Sequence, residues 1–199
     1  MTRQEAIHTL LSVPDFFAHH GAGYSSWGKV TVRQAAVRFD RNQFAFFSFS
    51  DHQISTEKEV LINPTEQKNI AALFAHRKRI DVILITEQLY AAQVREEIPP
   101  ILDDQAQLLG VSVRLAKTEN EVVKSLKGRF AAILPRQKSI CLGYSLDDAF
   151  VAAQLLEKTA KVFIEAKVLG GAKPINRLEA WVMQQYYQLK YSKEASKNK

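Results

Sequence analysis

The stretch that decides the fold is Ala131-Ala-Ile-Leu-Pro-Arg-Gln-Lys-Ser-Ile-Cys-Leu-Gly-Tyr-Ser-Leu-Asp-Asp-Ala-Phe150. Two apolar runs, Phe130–Leu134 and Ser139–Leu142, flank a polar turn at Arg136-Gln-Lys138 and read as a pair of strands. Ser145-x-x-Asp148 then supplies a helix start: a hydroxyl to accept from an unpaired N–H, and acid in the first turn. Behind it Leu146, Phe150, Ala153, Leu156, Ala160, Phe163 and Ile164 recur at helical spacing until Gly170-Gly171 stops them.

The neighbouring segments fit that frame. Asp81-Val-Ile-Leu-Ile85 is too continuously apolar for a half-exposed strand, which places it at the centre of a sheet. Thr65 to His76 reads as a helix, with Ile70, Leu73 and Phe74 on one face. Farther upstream lie strands around Val30–Ala36, Phe44–Phe49 and Val60–Ile62. Thr2-x-x-Glu5 is a capping box opening a first helix, which Pro14 is expected to break or restart, with a turn at His19-His20-Gly21-Ala22-Gly23. Downstream, Pro99-Pro100 marks a loop, Val111–Leu115 a strand and Thr118-x-x-Glu121 a short helix; another helix follows Pro174. The order implies one α/β/α three-layer domain with a central mixed β-sheet over residues 1–190. Residues 191–199 form a basic tail expected to be disordered and solvated.

The 199 residues suffice for a single sizeable core. No apolar run approaches the ~20 residues of a membrane span, and Met1–Val13 lacks a secretory h-region, so a cytoplasmic protein is expected. The single cysteine, Cys141, excludes an internal disulfide and reads as a buried thiol. Net charge is +6, partly from the lysine-rich tail, yet no zinc-finger spacing, aromatic RNA-binding motif or helix-turn-helix accompanies it, so nucleic acid is not an expected partner.

Ala131–Phe150 resembles the class II aldolase/adducin head-domain family, which shows an apolar strand, Asn-His-Gly, a second strand and Gly-x-Ser-Leu-Glu-Glu-Ala-Phe opening a long helix. Val168-Leu-Gly-Gly171, Pro99–Gly110 and Gly28-Lys-Val-Thr-Val-Arg33 are also similar to it, so the likeness spans roughly residues 25–170. The resemblance implies a sugar-phosphate aldolase or epimerase fold, a homo-oligomer, commonly a tetramer, and Zn²⁺ held by three histidines. The metal would act as the Lewis acid that stabilises an enediolate.

Carried over by position, the family's ligands fall on Ile85, Glu87 and Gln137. Isoleucine has no lone pair and glutamine is a poor zinc ligand, so no metal is expected. The same alignment puts the acid/base glutamate on Glu66, which would also suit the first turn of a helix by charge alone. It puts a phosphate-contacting position on Thr65 and replaces a phosphate-contacting asparagine with Lys29. Lys29 and Lys138 are thus candidates for a small anion pocket near Thr65, or else two solvated lysines. Tyr90 is expected to pack. His8, His19, His20, His52 and His76 have no ligand spacing. The expected function is a non-catalytic oligomeric binding module for a small anion or protein partner. The alternative is an enzyme of shifted or metal-free chemistry using Glu66 on a phosphorylated sugar.

Overall fold

The computed structural model describes residues 1–24, 26–49 and 59–197, the side chains of residue 22 and of residues 191–197 excepted. Seven strands form one mixed sheet: β1 (Val30–Asp40), β2 (Gln43–Ser48), β3 (Leu61–Ile62), β4 (Val82–Gln88), β5 (Arg114–Leu115), β6 (Ala131–Ile133) and β7 (Lys138–Gly143). Their order is β3-β2-β1-β4-β7-β6-β5, so β4 lies in the middle, as its unbroken apolar run requires. Every pairing is antiparallel except β5 with β6.

Helices cover both faces. Long helices α1 (Arg3–Gly21) and α4 (Leu146–Val168) lie on one side, over Ala35, Val37, Leu84 and Cys141. The short helices α2 (Lys68–His76) and α3 (Val122–Ser125) lie on the other, over Ala36, Ile83, Ile85 and Ile140. Adjacent residues of β4 therefore feed opposite cores, the period of two that a strand dictates. The α/β/α architecture read from the sequence is the one observed.

The deciding stretch folds as β6, turn, β7 and α4. Ser145 Oγ accepts from the backbone N–H of Asp148 at 3.1 Å, the N-cap its position implied. The corner before it needs Gly143, since a Cβ there would sit 2.4 Å from the Ala149 nitrogen. At the other end of the chain Thr2 and Glu5 form the reciprocal box: Glu5 N–H donates to Thr2 Oγ1 at 3.2 Å, and Thr2 N–H to the Glu5 carboxylate at 2.6 Å.

Several local expectations are corrected. Helix α1 runs through the exposed Pro14 and through His19-His20 to Gly21. Packing on both sides of the proline keeps the helix going: Leu10 and Val13 are buried before it, and Phe16 and Phe17 meet Phe150 edge-on after it. Helix α2 starts at Lys68 rather than Thr65. Asn63 sits at φ 45°, and Gln67 N–H closes a turn on Pro64 O before the helix begins. Helix α5 (Arg177–Lys197) carries its backbone into the segment read as a tail. His52 lies outside the described residues.

Candidate functional site

The site is set by an irregularity in β1. Against β4, Val32 pairs with Thr86 and Gln34 with Ile85, so Arg33 is an extra residue in the ladder. The bulge switches the parity of the strand. Val30 and Val32 pack toward α1 and α4 before it, and Ala35 and Val37 do so after it. Thr31, Arg33 and Gln34 are left on the α2 side, where Arg33 Nε donates to Glu87 Oε2 at 2.8 Å.

On that face Ile85 and Glu87 follow each other along β4. Ile85 lies opposite Gln34 on β1 and Ile140 on β7, and Glu87 lies opposite Thr31 and Lys138. Gln34, Ile85, Lys138 and Ile140, with the start of α2, line a cleft of about 410 Å³. Ile85 and Ile140 contribute apolar wall, and Gln34, Glu66, Lys68 and Lys138 contribute polar groups. Glu66 and its neighbour Thr65 are exposed in the turn ahead of α2, so Glu66 does not occupy the first helical turn that the sequence suggested. Asn69 and Glu119 join across the rim, Nδ2 donating to Glu119 O at 3.0 Å.

Glu66 and Lys138 therefore meet in one cleft, while Lys29 does not join them. It is exposed beside Phe17, Gly28 and Gln154, in a separate groove on the α1/α4 side of the sheet. The pairing of Lys29 with Lys138 around Thr65 is thus not formed within one chain. Gln137 is exposed in the β6–β7 turn. Both it and Arg136 hold left-handed backbone, at φ 62° and 59°, a conformation that favours glycine. Arg33 and Gln34 escaped the sequence reading. The slip of apolar residues from even to odd positions at Arg33 was the signal for them.

The end of β4 is tied to α4 by Glu157. This fully buried carboxylate accepts from Tyr90 N–H at 2.8 Å and Ala91 N–H at 3.0 Å, capping the 3₁₀ turn Ala91–Gln93. Burial raises its pKa above the ordinary carboxylate range, and the backbone donors oppose the rise. Gly28, at φ 137°, passes so close that a Cβ would lie 2.4 Å from Glu157 Oε1. Tyr90 packs in this region, half-buried, with the Lys161 ammonium 5.6 Å from its ring centre. Cys141 is fully buried, and burial pushes its thiol pKa up to about 12, so it stays protonated at neutral pH.

Comparison with solved structures finds the same fold in sugar-phosphate enzymes. An L-fuculose 1-phosphate aldolase is 18% identical, with 94% of this chain and 98% of that one covered at a TM-score of 0.76. The L-fuculose 1-phosphate aldolase of Glaciozyma antarctica is 15% identical, with 92% and 82% covered at 0.65. That of Thermus thermophilus is also 15% identical, with 86% and 100% covered at 0.61. No family model and no curated protein matches the sequence. The chain has the class II aldolase fold, as the stretch from Ala131 to Phe150 suggested.

The zinc that the resemblance implies can be tested against the side chains present. Ile85 is apolar and buried, the Glu87 carboxylate is held by the Arg33 guanidinium, and Gln137 offers a neutral amide. One carboxylate already engaged with a cation does not make a zinc cage, so this donor set does not fit the ion. Among the described residues no group of three or more His, Cys, Asp or Glu is placed to hold a metal. His8, His19 and His20 lie on α1 and His76 ends α2; His20 Nδ1 is 2.9 Å from Phe16 O.

Proposed function

We propose that this chain is a class II aldolase-fold binding module without the three-histidine zinc chemistry, a non-catalytic homo-oligomer of the cytoplasm. Its cleft between β4, β7 and the start of α2 would take a small anion or part of a protein partner. The observation that carries this reading is the pairing of Glu87 with Arg33 beside a buried isoleucine. Where the family's pattern places two imidazoles, this chain has one apolar side chain and one neutralised carboxylate. Lys138 and Lys68 at the cleft supply positive charge for an anion, alongside the carboxylates of Glu66 and Glu119 in the same lining. No helix among the described residues is long and apolar enough to cross a membrane, which accords with this reading.

The test is metal analysis of the purified protein, zinc titration, and a retro-aldol assay across phosphorylated sugars. The expected result is no stoichiometric zinc and no cleavage, with inorganic phosphate or a sugar phosphate binding more weakly to Lys138→Ala. One tightly bound zinc per chain together with cleavage would overturn the reading.

A second reading rests on Glu66 lining the same cleft as Lys138. A carboxylate there could move a proton on a phosphorylated sugar held by the lysine, without a metal. It requires turnover by the wild type and its loss, at least about 100-fold, in Glu66→Gln. Equal turnover in the two removes Glu66 from the chemistry.

A further inference from the structure

Helix α5 carries apolar residues on two opposite sides. Its inner side is seated: Ala180 and Gln184 are buried, Gln184 Nε2 donates to Gly128 O at 3.1 Å, and Tyr187 closes a cavity with Gln107 and Leu108. Leu178, Trp181, Val182, Tyr186 and Leu189 lie on the other side, each between 51% and 70% exposed, with half-buried Gln185 among them. At about 100° per residue these six fall on one face, centred opposite Ala180, Gln184 and Tyr187. A helix that is apolar on both sides is stable in water only when both are covered.

We propose that a second copy of this chain covers the outer face, α5 against α5, antiparallel about a two-fold axis. Such a contact is independent of whatever the cleft holds. Three observations select this occupant. First, the stripe has the same spacing in both directions about the midpoint of Met183 and Gln184. Leu178 therefore comes level with Leu189 and Val182 with the aliphatic stem of Gln185 at the centre of the seam, while Trp181 and Tyr186 lie on its two edges, each on the same edge as its own copy. A two-fold interface demands this self-complementarity, with each residue and its counterpart exchanging roles. It also answers the stripe's one polar residue. The two copies of Gln185 come within about 4–5 Å of each other along the helix axis, where each amide can donate to the other. Second, the area suits a dimer. The exposed parts of the five apolar side chains sum to on the order of 500–600 Å², which with a polar rim approaches the ~800 Å² per partner of a standard interface. Third, a parallel pairing would set two lysine-rich segments, residues 190–199, side by side, and the antiparallel one separates them.

The test is sedimentation velocity and light scattering of the full chain over a concentration series, beside Trp181→Glu and Tyr186→Glu. Each substitution is expected to raise the dimer dissociation constant roughly 30-fold or more, with far-UV circular dichroism unchanged because both side chains are exposed within one chain, and with a melting temperature that no longer rises with protein concentration as the wild type's does. A wild type that stays monomeric at high micromolar concentration overturns the proposal, as do variants that assemble like it. Orientation is read by disulfide trapping, since the chain's own cysteine is buried. The double variant Leu178→Cys/Leu189→Cys is expected to give reducible dimers on mild oxidation, and each single variant to give none. In the antiparallel pair like positions at the stripe's ends are about 16 Å apart, beyond disulfide reach. Dimers from Leu178→Cys alone would overturn the antiparallel arrangement.

Discussion

Arg33 turns a strand irregularity into an electrostatic fact. One extra residue in β1 re-aims a guanidinium onto Glu87, and a carboxylate beside the cleft gains a permanent counter-charge. Glu157 is the contrasting case, a carboxylate held by backbone donors in a buried place. Its pKa is raised on folding, so the folded chain binds that proton more tightly than the unfolded one. Its contribution is most favourable at low pH and is lost as pH rises from the ordinary carboxylate range through the raised value. Glu157→Gln cannot ionise. Urea titrations between about pH 4 and 7 are expected to show a flatter pH dependence for the variant, which is also less stable by about 1–3 kcal/mol at the acidic end because one N–H loses its acceptor. An unchanged pH slope would place the titration elsewhere. No local pattern marked Glu157, since its partners Tyr90 and Ala91 are more than sixty residues away.

Among the elements, the β6–β7 hairpin and helix α4 were legible because their signals are local: a polar turn between apolar runs, a capping serine, a glycine at the corner. The turn chemistry was the exception. A tight hairpin with two left-handed residues favours Asn-Gly, and this one has Arg136-Gln137. Gln137→Gly is therefore expected to stabilise the fold by about 1 kcal/mol, read as a higher urea midpoint at constant m-value. No gain would mean that exposed Gln137 makes compensating contacts. Pro14 and the start of α2 were misread for the reason that defeats local rules generally. Tertiary contacts decided both: aromatic packing against Phe150 holds α1 through its proline, and Asn63 is diverted to accept the Phe44 N–H at 2.8 Å. Arg38 shows the same dominance, fastening the end of α2 to the sheet by donating to the carbonyls of Phe74, Arg77, Lys78 and Ile80.

At the scale of the molecule, β4 belongs to both cores at once. Ile83 faces the α2 side and Leu84 the α4 side, and neither is exposed to solvent. Ile83→Ala and Leu84→Ala are each expected to cost about 2–5 kcal/mol. Because the strand is shared, tryptophan fluorescence and far-UV circular dichroism should report one coincident transition in both variants; separated transitions would show that the two layers unfold independently. The layer order was readable from the sequence, but the division of the candidate residues between faces was not. The sheet itself separates Lys29 from Lys138, and a one-residue bulge decides which face each side chain of β1 takes. Among the described residues the outermost strands, β3 and β5, have two residues apiece. They leave an incoming polypeptide almost no ladder to extend, so the sheet resists the strand-by-strand growth that drives fibrils, and self-association is left to side-chain surfaces.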